Sequence, residues 1–307
     1  MNLTPLATVE RTGLVTEQDL GRTGLSDIGV PISGAWHRGR HRLAVALVHG
    51  ADAQTRPSLE ILNTGLSLRF HEPQVVAVVG AAEVRIDDHL VPTEVALHVQ
   101  AQSRLDIAHQ GSGPVYLAVS GWQPSLTLGS AATDTFSGLG GHAGDGTPVA
   151  AGQTLHGHGD VQLDHVGSFL RLTQPSLGSM SIVSVNDELA AALCGEPWHV
   201  DSTARSGVRL SGPTLPSPAP VASMPVVPGA IQQTPDGSAI VLGPDGGLTG
   251  GYPIVGVVAS ADLDRMADLE PAKQVVFTRI DPASAAEEFT AREESLASAI
   301  VRPDALT

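Results

Sequence analysis

Short apolar runs, separated by turn-forming residues, recur along the whole chain. Six of them lie in the first 120 residues, at positions 66–70, 75–79, 84–86, 95–99, 105–107 and 115–119. The intervening segments include His71-Glu72-Pro73, Asp87-Asp88 and Gly111-Ser112-Gly113-Pro114, all typical of turns. Short strands joined by tight turns favour a β-barrel or β-sandwich, so we predict a mainly β fold for this half.

The second half has the same character. Further strands are predicted at positions 169–172, 181–185, 208–210, 240–242, 254–259 and 274–280. Helices are few, because apolar residues recur at helical spacing only in the segments 38–49, 187–194 and 261–269. A last helix is predicted after Asp281, an N-cap residue, with Pro282 at its first position and Phe289 among its apolar residues.

The chain has 307 residues, enough for two domains that each bury a core. We predict a first domain at 1–168 and a second at 169–307.

Aromatic residues make up 3% of the chain, so the cores must consist of Val, Leu, Ile and Ala. Nucleobases would also find few rings on which to stack.

The net charge of −15 argues against nucleic-acid binding, which depends on clustered Lys and Arg. The single cysteine, Cys194, cannot form an internal disulfide and is typical of a reducing compartment. The N-terminus lacks the basic and apolar regions of a signal peptide, and no apolar run is long enough for a membrane span. We therefore predict a cytoplasmic protein with no membrane or nucleic-acid partner.

The glycine-rich stretch from Gly243 to Pro253 resembles a phosphate loop at first sight. A phosphate loop needs a Lys after its second glycine, and the single Lys of this chain, Lys273, lies elsewhere. The dinucleotide spacing G-x-G-x-x-G is also absent from the stretch. A turn between two strands remains the simplest interpretation of the stretch by itself.

Metal-site and hydrolase motifs are also absent. His156-Gly-His158, with His142 and His165 nearby in sequence, offers too few convergent and rigid ligands for zinc. Neither H-E-x-x-H nor G-x-S-x-G occurs in the chain. We therefore predict no metal site.

The segment from Gly13 to Gly24 places Gln18, Asp19 and Arg22 between glycines. Gln both donates and accepts hydrogen bonds, Asp accepts them, and the planar Arg fork suits a carboxylate or a phosphate. Two interpretations stay open. The three side chains hold a small amide or acid, or an Asp–Arg pair locks a turn.

That segment, followed by Gly29-Val-Pro-Ile-Ser-Gly-Ala35, resembles the opening signature of the allophanate hydrolase subunit 2 family, now largely identified with the C subunit of 5-oxoprolinase. The likeness continues in order over residues 10 to 280. Its further pieces are Leu59-Glu60 with Gly65, Val79-Gly80-Ala81, Tyr116 to Val119, Gly129-Ser130 with Thr133, Gly140-Gly141, Arg205 with Gly207 to Gly212, Pro228 to Gln232, and Asp245 with Thr249 to Pro253.

The resemblance implies two cyclophilin-like β-barrel subdomains with a few short helices. It also implies a hetero-oligomer with a partner that is similar to the B subunit of 5-oxoprolinase, and a possible third, lactam-opening subunit. The implied activity is the ATP-dependent opening of 5-oxoproline, a cyclic amide, to glutamate, with ATP bound by the complex and not necessarily by this chain. The implied substrate is thus a small amide.

The same resemblance implies roles for individual residues. The predicted catalytic residues are Gln18, Asp19 and Arg22: Arg22 binds a carboxylate or phosphate, Asp19 orients it or accepts a proton, and Gln18 binds the amide. The predicted substrate-binding residues are Ser33, Glu60, Arg205, Gln232, Asp245, Thr249 and Tyr252.

The chain departs from the family pattern at positions that are usually polar. His37 replaces an Asp, Ala131 and Asp145 replace arginines, and Gly247-Leu248 replaces Gln-Thr. Two alternatives therefore stay open. One is a non-catalytic regulatory binder that antagonises a kinase-inhibitor partner. The other is a carboxyltransferase component of a urea carboxylase-like system, although no segment here resembles a biotin carrier.

Overall fold

The computed structural model describes residues 3–53, 55–159, 163–171, 179–216 and 221–302. The fold is mainly β, with a nearly closed barrel-shaped sheet and few helices, as predicted. The described residues form two compact units. The first unit comprises those within Met1–Arg22, Ser33–Leu172 and Leu296–Thr307, and the second comprises those within Thr23–Ile32 and Thr173–Ser295.

The first 170 residues contain twelve of the described strands and one α-helix. The helix is α1 (Arg38–His49). The strands are β1 (Thr4–Thr12), β2 (Val15–Gln18), β3 (Ser58–Ile61), β4 (Gly65–Phe70), β5 (Gln74–Val79), β6 (Ala82–Ile86), β7 (His89–Val91), β8 (Leu97–Val99), β9 (Arg104–His109), β10 (Val115–Val119), β11 (Thr154–Gly157) and β12 (Phe169–Leu170).

The remaining described residues add eleven strands and two α-helices. The helices are α2 (Asp187–Leu193) and α3 (Pro282–Ser298). The strands are β13 (Met180–Ser184), β14 (Trp198–Ala204), β15 (Gly207–Ser211), β16 (Met224–Pro225), β17 (Ala230–Gln233), β18 (Ala239–Leu242), β19 (Thr249–Gly250), β20 (Ile254–Val258), β21 (Gln274–Val275), β22 (Phe277–Ile280) and β23 (Ile300–Val301).

Two antiparallel sheets and one helix build the first unit. One sheet has the order β11-β1-β4-β9-β6-β7 and the other β2-β3-β10-β5-β8, with β12 and β23 forming a small separate pair. Alternate residues of β5 enter two different cores: Val76 and Val78 join the main core, whereas Val75 and Val79 pack with α1. Burial on both faces explains why this strand is an uninterrupted apolar run.

Helix α1 packs on the five-stranded sheet because its apolar residues fall on one face. Leu43 and Leu47 are buried there against β5 and β10. The helix begins after His37, whose ring nitrogen accepts a hydrogen bond from the Arg40 amide, and ends at Gly50, with φ of 86°. Such caps satisfy backbone groups that the helix itself leaves without partners.

The second unit is built on an eight-stranded sheet with the order β21-β14-β15-β18-β17-β20-β13-β22. All pairs are antiparallel except β13 and β22, which run parallel. Its largest fully buried side chain is Trp198 of β14, whose indole N–H donates to the Leu193 carbonyl. Strands β16 and β19 form a separate two-stranded ribbon.

The helices agree with their predicted positions, with two differences. The segment predicted at 261–269 forms a 3-10 helix, Leu263–Asp268, and not an α-helix. Helix α3 has the predicted N-cap, since Asp281 accepts from the amides of Ala283 and Ser284, but its apolar residues are not buried. No helix among the residues described has the length and apolar composition needed to cross a bilayer.

Candidate functional site

The end of β2, the turn that follows it and the loop 127–134 meet in the first unit. We call Gln18, Asp19, Arg22, Ser33 and Thr133 the first-unit cluster. All five side chains are buried, although each of them carries a polar or charged group. Buried polar groups require hydrogen-bond partners, so the contacts of each side chain indicate what it does.

Asp19 holds the loop to the turn. One carboxylate oxygen accepts from the Gly21 amide at 2.8 Å and from the Ser130 hydroxyl at 2.6 Å, and the other accepts from the Ala131 amide at 2.8 Å. Hydrogen bonds to a carboxylate are among the stronger ones in proteins. Asp19 therefore fixes the position of residues 130 and 131 relative to β2.

Arg22 supports the same loop through backbone carbonyls. Its Nε donates to the Thr127 carbonyl at 3.1 Å, and Nη2 donates to the Ala132 carbonyl. Asp19 and Arg22 both hold the loop 127–132: Asp19 accepts from one hydroxyl and one amide of the loop, and Arg22 donates to two of its carbonyls.

Gln18 and Ser33 approach the next residue of the loop. The Gln18 amide nitrogen donates to the Thr16 hydroxyl and to the Thr133 carbonyl, both at 3.0 Å, and Ser33 Oγ lies 3.5 Å from that carbonyl. Ser33 has φ of 54°, which is uncommon for a residue with a Cβ. Gln18 Oε1 is buried and accepts no hydrogen bond from the described residues.

Glu60, predicted to bind substrate, supports the start of α1. One of its oxygens accepts from the Trp36 amide at 2.8 Å and from the Tyr116 hydroxyl at 2.5 Å, and that hydroxyl accepts from the His37 amide. Glu60 is fully buried on β3. It therefore links β3 and β10 to the segment that leads into the helix.

Glu17 and His142 form a contact that the sequence did not reveal, and it is an ion pair when His142 is protonated. Their facing atoms, Glu17 Oε1 and His142 Nδ1, are 3.6 Å apart; Glu17 is fully buried and His142 is about one-third exposed. Burial raises the pKa of Glu17 above its ordinary 4.5, against the opposing effect of His142. Contact with Glu17 raises the pKa of His142 above its ordinary 6.5.

The one signal for this pair in the sequence is the alternation along β2. Val15 and Glu17 are two residues apart, so they share a strand face, and Val15 belongs to the main core. A carboxylate on the core-facing side of a strand requires a partner. That the partner is His142 follows only from the fold.

Three of the side chains predicted to bind substrate, Arg205, Gln232 and Asp245, are buried in the second unit. Arg205 and Asp245 form a buried two-pronged ion pair, with Nε to Oδ2 at 2.6 Å and Nη2 to Oδ1 at 2.8 Å. The Asp245 amide also donates to the Arg205 carbonyl, so this pair closes the first part of the glycine-rich stretch against β15 and the turn before it.

Gln232 lies on β17 and is almost fully buried. A Cβ added at Gly250 would overlap its amide nitrogen, so the glycine of β19 leaves the room that this side chain occupies. The nitrogen donates to none of the described residues. Thr249 and Tyr252, also predicted to bind substrate, are exposed on either side of Gly250 and Gly251.

A shallow depression of about 440 Å³ lies elsewhere, on the outer face of the six-stranded sheet. Its charged side chains pair with one another: Arg104 contacts both Asp88 and Asp106, and Arg85 contacts Glu83. Exposed ion pairs of this kind contribute little to the stability of a protein. The described residues contain no group of three or more His, Cys, Asp or Glu side chains that could hold a metal.

Gly140 tests how tightly the loop packs around Arg22. A Cβ at this position would overlap the Ala132 carbonyl and Arg22 Nη2, whereas one at Gly129 would meet nothing within 4 Å. Both glycines have left-handed φ, 71° and 82°, so an alanine costs each about 1–2 kcal/mol of strain. We expect Gly140→Ala to cost a further 1–3 kcal/mol or so by overpacking. Urea unfolding of both variants measures the difference, and equal costs would contradict the packing described.

The Arg205–Asp245 pair gives a second expectation. Asp245→Ala leaves the guanidinium in a buried position without that carboxylate, and we expect a loss of about 3–5 kcal/mol in the free energy of unfolding. The double variant Arg205→Met with Asp245→Leu removes both charges and should lose less. Urea unfolding measures both, and a double variant less stable than the single one would contradict this account.

The Glu17–His142 pair makes stability depend on pH. Both groups bind a proton more tightly in the folded protein, since both pKa values are raised. The stability from His142 is complete below pH 6.5 and is lost as pH rises through its raised pKa. The carboxylate form of Glu17 destabilises the folded protein. This destabilisation grows as pH rises above 4.5 and through the raised pKa of Glu17.

We therefore expect wild-type stability, relative to that of Glu17→Gln, to fall as pH rises from about 5 to about 8. The variant keeps the shape of the side chain without the charge. Urea midpoints across this range measure the difference in stability. With His142→Gln, the part of the fall that occurs at the higher pH values should be absent. Parallel pH profiles for wild type and Glu17→Gln would show that the pair is not coupled.

Comparisons with known proteins agree with this architecture. The chain is similar to the C subunit of 5-oxoprolinase from Escherichia coli K12, with 31% identity over 284 residues that cover 88% of this chain and 89% of the relative. It is also similar to urea amidolyase of Saccharomyces cerevisiae, with 27% identity over 290 residues. That match covers 84% of this chain but 16% of the much longer relative.

Among solved structures, the urea amidolyase of K. lactis superposes with a TM-score of 0.84. The match covers 96% of this chain and 20% of that one, and its 23% identity supports the fold alone. The family model described as carboxyltransferase domain, subdomain A and B, matches residues 28–279, well over half of the chain. The chain therefore belongs to the carboxyltransferase domain family, subdomains A and B.

Proposed function

We propose that this chain is one component of an ATP-dependent amide hydrolase that converts 5-oxoproline to glutamate. The main support for the proposal is the share of one relative's length that aligns with this chain. The chain aligns with 89% of the length of a protein named as the C subunit of 5-oxoprolinase, at 31% identity. It aligns with only 16% of the yeast urea amidolyase.

The first-unit cluster supports an amide as the substrate class. Gln18 Oε1 is a buried acceptor that lacks a donor among the described residues, and an amide N–H would supply one. In the second unit, separately, Gln232 has a buried amide nitrogen that donates to none of the described residues. Buried polar groups without partners are uncommon, and a bound ligand is one explanation for them.

The contacts of Asp19 and Arg22 indicate a supporting role for both residues in this proposal. Both side chains hold the loop 127–132, so we propose that they shape the site by positioning Thr133 and Gln18. Ser33, Glu60, Arg205 and Asp245 have similar supporting contacts. Thr249 and Tyr252, being exposed, are proposed to contact a ligand or a partner.

The partners of the proposed enzyme are a protein similar to the B subunit of 5-oxoprolinase and a third, lactam-opening subunit. ATP supplies the free energy, because an amide is stabilised by resonance and its oxygen is a poor leaving group until it is phosphorylated. We propose that ATP is bound by the assembled complex. We also propose a cytoplasmic location, consistent with the single cysteine, Cys194.

The fold match to urea amidolyase favours a second candidate, a carboxyltransferase component that transfers a carboxyl group to an amide nitrogen. Both candidates act on an amide. They differ in the co-substrate, which is ATP in the first case and a carboxylated biotin carrier in the second.

The test is turnover by the reconstituted complex of this chain with its two partners. We expect glutamate and ADP to form together from 5-oxoproline and ATP, and Gln18→Ala to lower kcat/KM about 10- to 100-fold through the loss of a buried hydrogen bond. Gln100→Ala is the matched control, because Gln100 is exposed beyond β8 in the same unit.

Other outcomes separate the alternatives. A complex that carboxylates urea from a biotin carrier and leaves 5-oxoproline unchanged would support the carboxyltransferase candidate. A complex that assembles and shows neither reaction would support a regulatory binder. Equal activity of Gln18→Ala and Gln100→Ala would remove Gln18 from the site while leaving the reaction in place.

A further inference from the structure

The Glu17–His142 pair has the arrangement of an acid–base pair. The imidazole bridges from a fully buried carboxylate to the protein surface, since Glu17 is inaccessible and His142 is about one-third exposed. Neither oxygen of Glu17 accepts a hydrogen bond from the described residues, and the facing imidazole carries a charge only when it is protonated. A buried carboxylate with such poor solvation is costly unless its partner compensates for it.

The pair is directly attached to the first-unit cluster. The backbone of Glu17 exchanges hydrogen bonds with Thr133, whose amide donates to the Glu17 carbonyl at 2.8 Å. Gly141, the residue before His142, packs on the Thr133 side chain. Gln18 donates to the Thr133 carbonyl at 3.0 Å. Glu17 and Gln18 are therefore both hydrogen-bonded to Thr133, and the residue before His142 lies beside it.

The orientation of the ring decides which nitrogen can react. Nδ1 is the atom that faces Glu17. A proton on Nδ1 interacts favourably with the carboxylate, and this tautomer has its lone pair on Nε2, at the opposite side of the ring. A carboxylate behind the imidazole also stabilises the imidazolium that forms when Nε2 takes up a proton.

We propose that His142 is the general base that removes the proton from the amide nitrogen of the substrate, with Glu17 as its positioning residue. This inference rests on the proposed function, because it requires an amide substrate. In the ATP-dependent reaction the amide oxygen forms a bond to the γ-phosphorus of ATP, and ADP leaves with the electron pair of the broken P–O bond. The N–H bond breaks, its proton goes to Nε2, and its electron pair forms the C=N bond.

The carboxyltransferase reaction has the same requirement. There the amide nitrogen forms a bond to the carboxyl carbon, biotin leaves with the electron pair of the broken N–C bond, and the proton lost by the amide nitrogen again goes to a base. Removal of an amide proton is thus common to both candidate reactions. A general base is most effective when its pKa lies near the pH at which the enzyme operates.

The first arm of the test is direct titration of His142 in the isolated chain. Two-dimensional NMR of the imidazole nitrogens assigns the signal by its loss in His142→Gln. We expect the wild-type pKa to lie above 6.5 and to fall in Glu17→Gln, which is nearly isosteric and removes only the charge. An unchanged His142 pKa in Glu17→Gln would overturn the pairing, whatever reaction the complex performs.

The second arm is the pH dependence of turnover by the complex. We expect His142→Gln to lower kcat about 100-fold or more with little change in KM, within the range contributed by a general base. Glu17→Gln should shift the acidic limb of the pH–rate profile to lower pH, by the same amount as it lowers the His142 pKa. His156→Gln is the control, because His156 is exposed on β11 in the same unit.

The outcomes distinguish this inference from the proposed function. Normal turnover and an unchanged pH profile in His142→Gln would overturn the base and leave the proposed function standing. A wild-type complex that turns over neither 5-oxoproline nor urea would overturn the proposed function and the base together. A lower kcat in which the profile of Glu17→Gln follows the NMR shift would support both.

Discussion

The first unit depends on how the polar groups between Glu17 and Arg22 satisfy the backbone of the loop 127–134. This loop has little regular structure, so its buried amides and carbonyls must find partners elsewhere. Asp19 accepts from the amide of residue 131, Arg22 donates to the carbonyl of residue 132, and Gln18 donates to that of Thr133. Each side chain matches the backbone group it meets, which is why the segment contains an acid, a base and an amide.

Much of the fold can be predicted from the sequence because the strands with the clearest sequence pattern are buried on both faces. Strands β5 and β10 lie between two cores, so they appear as continuous apolar runs with turn residues at each end. The sequence does not predict strand β1, because irregularities between Pro5 and Ala7 and between Val9 and Arg11 break the alternation of buried and exposed residues. The 3-10 helix Leu263–Asp268 was predicted as an α-helix, since apolar spacing over so few residues separates the two poorly.

The candidate site was less predictable, because its chemistry depends on contacts between residues far apart in sequence. The pattern identified Gln18, Asp19 and Arg22 as unusual but could not say that Asp19 and Arg22 act on one loop. The Glu17–His142 pair was missed altogether, since neither residue belongs to a motif.

Strand β2 is the last strand of its sheet, yet its outer edge is not open. Val15 accepts from the amide of Val149, and Glu17 exchanges hydrogen bonds with Thr133, so irregular segments occupy the positions of a neighbouring strand. An open edge is a template on which another chain can add a strand. The loop that shapes the candidate site therefore also closes part of the edge of β2, on which another chain could otherwise add a strand.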